Sequence, residues 1–137
     1  MDNTYSLVIK EFHLDTFGHM NNARYLDLFE EARWELITQR GFGLEQVQKS
    51  KTGPVILEVN LKFLKELKLR ETIQITTKVL SYEGKISRLQ QQMIKSDGSV
   101  AAEAVFVVGF FDLKARKLIL PSPEWLKAID WSPNPTA

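Results

Sequence analysis

The chain has 137 residues, 44% hydrophobic and 26% charged, with eighteen Lys and Arg against seventeen Asp and Glu for a formal net charge of +1. That length gives one domain with one core, the composition excludes a disordered chain, and the balanced charge argues against a nucleic-acid binder. The absence of cysteine excludes disulfides, thiolate metal sites and a cysteine nucleophile.

With only two histidines, His13 and His19, and no carboxylates at ligand spacing, no metal site is expected. The start, MDNTYSLVIKEF, has neither the basic region nor the long apolar stretch of a signal peptide. No apolar run approaches the ~20 residues that a membrane span needs. A soluble cytoplasmic protein is the expectation.

In chain order, Tyr5, Leu7 and Ile9 alternate within residues 4–12, which predicts a first strand. A loop follows. From Asn22 to about Arg40 the period changes: Tyr25, Leu28, Phe29, Ala32 and Leu36 recur at steps of three and four, while Asp27, Glu30, Glu31, Arg33 and Glu35 take the other side. This predicts a helix about 27 Å long, with Asn21 or Asn22 as its cap and Gly41 as its stop. Residues 41–53 read as a connection with a short helical turn around Leu44 and Val47. Four strands follow, at 55–64, 72–82, 85–95 and 99–113, with Asp97-Gly98 marking a hairpin. Apolar residues on both faces from Ala104 to Phe111 predict a central strand, buried twice. Ser122-Pro123-Glu124 opens a short helix, and residues 132–137 should fray. Residues 1–131 then form one α+β domain, a five-stranded, mostly antiparallel sheet laid on a single long helix.

The polar cluster lies at the start of that helix, in LDTFGHMNNARYLDLFEEAR (residues 14–33). A helix start offers backbone N–H groups without partners and partial positive charge, which stabilise an oxygen that turns negative during reaction. Asp15 can present a carboxylate to the same spot, and Gly18 lets the backbone turn tightly or approach a ligand closely. Such a pairing suits hydrolysis of an activated acyl group, by base-assisted water attack or direct attack. Asx residues before a helix are also ordinary caps, and Asp-x-x-Gly is an ordinary turn. Spacing alone leaves both readings open.

The run D-T-F-G-H-M-N-N-A-R-Y-L resembles the signature of hotdog-fold acyl-CoA thioesterases of the 4-hydroxybenzoyl-CoA thioesterase family, in which Asp-x-x-Gly-His-x-Asn-Asn-x-x-Tyr follows the first strand and opens the central helix. The likeness continues through FEEAR, LEVNLKFLKELKLRETIQI and VFVVGFFDLKARKLILPSPEW. It implies a hotdog fold and a thioester hydrolase that needs no cofactor. Asp15 then matches the catalytic carboxylate, acting as nucleophile or general base. The Asn22 N–H matches the donor that polarises the thioester carbonyl, and Gly18 the glycine that lets the thioester reach it. His19 and Asn21-Asn22 match a His-x-Asn-Asn that plant acyl-ACP thioesterases share. Those relatives carry an asparagine where this chain has Phe17, so the resemblance favours Asp15 acting with the helix end. His13 stands where many relatives have an aspartate and reads as structural or as tuning Asp15.

The resemblance also implies a homodimer or homotetramer with acyl-CoA bound between subunits. CoA phosphates would meet Lys62, Lys65, Lys85 or Arg88, of which Arg88 is the preferred partner. The acyl group would lie against Phe17, Tyr25, Phe29 or Phe63, although Phe29 suits core packing equally well. Two other functions compete: a hotdog module that binds acyl-CoA without catalysis, and a hotdog dehydratase or hydratase. A binding module has no need of a carboxylate at the thioester, and a dehydratase relies on a different His and acid pattern.

Overall fold

The computed structural model describes residues 3–15, 18 and 20–132. Strand β1 (Thr4–Val8) precedes helix α1 (Asn22–Gln39) and the short helix α2 (Leu44–Ser50). Strands β2 (Thr52–Phe63), β3 (Thr72–Glu83), β4 (Ile86–Lys95), β5 (Val100–Asp112) and β6 (Lys117–Ile119) follow, and α3 (Pro123–Ala128) closes the fold. The sheet runs β1-β3-β4-β5-β2, antiparallel throughout, and β6 pairs with β5. This is the expected α+β hotdog layout, with six strands in place of five. The sixth takes up the β5 edge where β4 stops: β4 pairing ends at Gly109, and β6 pairing begins at Phe110. Three residues carry too little periodicity to announce a strand.

Tight turns make the antiparallel order. Gly98 has φ +87°, a conformation that favours glycine, and Asp97 beside it accepts the Ser99 N–H at 2.8 Å. Helix α1 has the expected ends. The Asn21 side chain accepts the Ala23 N–H at 2.9 Å, and beyond Arg40 the chain turns through Gly41 at φ +90°. The expected stripe of Tyr25, Leu28, Phe29, Ala32 and Leu36 is buried, and Ile37 with it. A second cluster stacks Phe42, Phe110 and Trp125, with ring centroids 5.1–5.9 Å apart.

Three sequence expectations are corrected. The first strand stops at Val8, because its partner β3 begins opposite at Thr72; Glu11–His13 forms a 3-10 turn instead. Strand β5 is buried on one face only. Phe106 and Val108 face the helix, whereas Val105 and Val107 on the other side are half-exposed, since one helix covers one face. Arg33, expected on the solvent side of α1, is half-buried with its guanidinium carbon 4.4 Å over the Phe106 ring.

Gln91 explains why Arg33 turns inward. This fully buried amide accepts from Arg33 Nη1 at 2.9 Å and donates to the Phe29 carbonyl and to Thr77 Oγ1, both at 3.1 Å. One side chain of β4 thereby bonds the helix backbone, a helix side chain and β3. A buried amide without those partners would be costly. We predict that Gln91→Leu lowers unfolding free energy by about 2–4 kcal/mol in a denaturant titration. Gln90→Leu, which loses a bond to Glu103, should cost under about 1 kcal/mol.

The loop that joins β1 to α1 is pinned at its base. The His13 carbonyl accepts the Asn21 N–H at 2.9 Å, Leu14 bridges to Met20, and the Met20 N–H reaches the Leu67 carbonyl at 3.3 Å. The buried His13 ring accepts the Lys10 N–H on Nδ1 at 2.8 Å, which requires that nitrogen to be unprotonated. Burial, helped by Arg24 and Lys10 and opposed by Glu31, holds His13 below its ordinary 6.5. The folded chain therefore binds fewer protons here than the unfolded one, so this stability is present above pH 6.5 and is lost as the pH falls through the depressed value. His13→Asn, which keeps an acceptor, should flatten the fall in melting temperature between about pH 7 and 5. An unchanged slope would remove His13 from that role.

Candidate active site

Asp15 lies in the pinned loop, seven residues before the first residue of α1. Leu14 and Met20 bridge across the loop, so its two ends meet at the helix start. Gly18, at φ +78°, donates its N–H to the Asp15 carbonyl at 3.2 Å and closes a turn directly after the carboxylate-bearing residue. At the start of α1 the Asn21 side chain takes the Ala23 N–H, while the helix offers no acceptor to the Asn22 N–H.

Asp15 and Asn22 open onto one cleft of about 290 Å³, together with Met20, Tyr25, Phe63, Leu64, Lys65 and Glu66. Two elements wall it. The first turn of α1 contributes Tyr25, whose ring meets Phe63 of β2 edge-on at 4.9 Å between centroids. The β2–β3 connection contributes Leu64, Lys65 and Glu66 and is itself tied down. Leu64 and Lys65 both donate N–H groups to the Ala101 carbonyl, Leu67 is fully buried, and Lys95 bonds the Glu66 carbonyl at 2.9 Å and the Glu71 carboxylate at 3.1 Å.

The electrostatics of the cleft have two signs. The helix start carries partial positive charge, and two acidic residues, Asp15 and Glu66, share the cleft with it. Burial, joined by Glu66, Asp15 and Glu71, pushes the Tyr25 phenol above its ordinary 10. Its hydroxyl stays protonated at neutral pH and able to donate. Among the described residues no group of three His, Cys, Asp or Glu is placed to hold a metal ion.

Of the residues singled out in the sequence, Asp15, Asn22, Tyr25, Phe63 and Lys65 share this cleft. Asn21 caps the helix, and Gly18 shapes the turn. Phe17 and His19 lie outside the described residues. Phe29 belongs to the core. Arg88 stands exposed on β4 between the inward-facing Ser87 and Leu89, outside the cleft lining, and Lys62 and Lys85 are exposed and outside it too. Met20, Leu64 and Glu66 were not anticipated. Only the register of β2 against β5 brings the last two to the helix start, and no local pattern signals it.

The sequence profile of the thioesterase-like superfamily matches residues 11–129. The long-chain acyl-CoA thioesterase FadM of Escherichia coli K12 is 29% identical over 112 residues, covering 81% of this chain and 84% of FadM. The structure of YbaW, a probable thioesterase from Escherichia coli, superimposes with a TM-score of 0.82 at 26% identity, over 93% of this chain and 96% of YbaW. A Staphylococcus aureus protein solved in complex with CoA agrees in fold, with a TM-score of 0.88 at 18% identity over 100% of this chain and 93% of that one. The profile takes in the pinned loop, the helix start and the strands that wall the cleft, and on that match the chain belongs to the thioesterase-like superfamily.

Proposed function

We propose that the cleft hydrolyses the thioester of an acyl-CoA to the free acid and the CoA thiol. One observation carries this reading: the Asp15 carboxylate and the Asn22 helix start open onto the same cleft, lined on its other side by the Tyr25 and Phe63 rings. In the reaction, the thioester carbonyl oxygen accepts the Asn22 N–H. Asp15 takes a proton from water as that water adds to the carbonyl carbon, and negative charge grows on the oxygen facing the helix start. Collapse of the adduct breaks the carbon–sulfur bond, the thiolate leaves, and the proton on Asp15 returns to it. Direct attack by Asp15 would give a mixed anhydride that water opens to the same products.

In this reading His19 orients the attacking group, Phe17, Gly18 and Asn21 flank the thioester, and Tyr25 and Phe63 take the acyl end nearest to it. Lys65, in the cleft lining, is better placed than Arg88 to meet a CoA phosphate. The working unit in our proposal is a homodimer joined along β2. That strand forms one edge of the sheet and exposes Ile56, Leu57, Val59 and Phe63, each 39–51% accessible. A long apolar edge left uncovered invites pairing with another strand, and Phe63 links this edge to the cleft.

Asp15→Asn should lower thiol release from acyl-CoA by about 10²–10⁴-fold with the melting temperature unchanged. Turnover comparable to that of the unmodified protein would contradict the assignment. Val59→Lys, which puts a charge on the β2 edge, should give monomers in light scattering and reduce activity with them. A fully active monomer would contradict the shared site.

A further inference from the structure

Away from the cleft, a cavity of about 220 Å³ lies between the C-terminal half of α1, strands β2, β3, β4 and β5, and α3. Its walls are mostly apolar, with Trp34, Ile37, Val79, Leu89, Val108 and Trp125 prominent among them. Two guanidinium groups, Arg33 and Arg40, share this lining with a single carboxylate, Glu30, which is exposed. Two positive charges against one negative leave the lining at +1.

Arg33 is the unusual member. A guanidinium has five N–H donors, and the bond to Gln91 uses one of them. Its charge rests over the Phe106 ring, yet among the described residues it forms no ion pair. Burial lowers it to about 10, opposed by the Glu30 carboxylate one turn back on the helix, so it remains charged at neutral pH. Half-buried charges are ordinarily matched by an opposite charge, because desolvation is costly without one. Arg40 adds to the same field while bonding the Ala128 carbonyl at 3.2 Å and the Asn3 side chain. The bond to Gln91 explains why Arg33 points inward. It leaves the other donors beside an apolar hollow.

We infer that this cavity binds a free carboxylic acid with a hydrocarbon body of medium length, its carboxylate seated on Arg33 and its chain against Trp34, Ile37, Val79 and Leu89. The planar fork of arginine suits two parallel bonds to a carboxylate. The volume, below the ~300 Å³ where pockets for drug-sized ligands begin, favours a body of medium length. The acid is a free one. Arg33 stands eleven residues along α1 from Asn22, about 16 Å of helix, and the buried side chains of Tyr25, Leu28, Phe29 and Phe106 fill the interior between cavity and cleft. A thioester held at Asp15 therefore does not reach Arg33 through the inside of its own chain. This site stands whether or not the cleft hydrolyses thioesters.

Calorimetric titration with sodium octanoate and with 1-octanol tests it on three proteins. The unmodified chain should take up one octanoate per chain, at least about tenfold more tightly than the alcohol, the margin expected of a charge-assisted bond. Asp15→Asn should bind octanoate equally well, which separates this site from the cleft. Arg33→Met should lose at least about tenfold in octanoate affinity while holding octanol as before. If Arg33→Met does not fold, Arg33→Lys, which keeps the charge without the fork, should bind octanoate more weakly than the unmodified chain while holding octanol as before. Unchanged octanoate affinity in it would count against the proposal. Equal affinity for acid and alcohol, loss of octanoate binding in Asp15→Asn, or no saturable octanoate binding at all would overturn the proposal.

Discussion

One long helix is what this chain has to cover a five-strand-wide sheet, and most of its other features follow from that shortage. Helix α1 buries one stripe of side chains against one face of the sheet. A helix with its side chains is about 10 Å across, whereas four strand spacings span about 19 Å. The cover therefore thins beyond the stripe. The cleft opens at the start of the helix, and the Arg33 cavity opens beside its last two turns. The outer face of β5 and the edge of β2 keep apolar side chains that the described residues leave partly or largely exposed.

The helix is held by unlike means at its two ends and its middle. At its start, the Asn21 cap, the Leu14–Met20 bridge and the His13 ring fix the loop that leads into the helix. In the middle, Gln91 ties the helix carbonyl of Phe29 to Thr77 of β3 and draws Arg33 inward. At the far end, Phe42, Phe110 and Trp125 stack against Ile37. A rigid helix start matters for chemistry, since an N–H group stabilises a developing charge only where it already points when the charge appears.

Much of this was legible in the residues. The stripe from Tyr25 to Leu36, the Asn21 cap, the Gly41 stop and the Asp97-Gly98 hairpin each rest on local rules, and each formed as read. The likeness of the D-T-F-G-H-M-N-N run directed attention to Asp15 and Asn22, which the fold brings to one cleft. The misreadings came from contacts distant in sequence. A period-two pattern could not tell that β1 ends where β3 begins, nor that β6 would find a short free stretch of β5. The helical wheel placed Arg33 with the solvent-facing charges, because a wheel knows nothing of a buried glutamine 58 residues away.

The central claim is that a thioester sits between the Asp15 carboxylate and the start of α1. A crystal structure of the Asp15→Asn protein with an unhydrolysed acyl-CoA tests it most directly. The account predicts the thioester carbonyl oxygen within about 3 Å of the Asn22 nitrogen, with residue 15 beside the carbonyl carbon. A thioester seated elsewhere, with the helix start closed over by packed side chains, would contradict it.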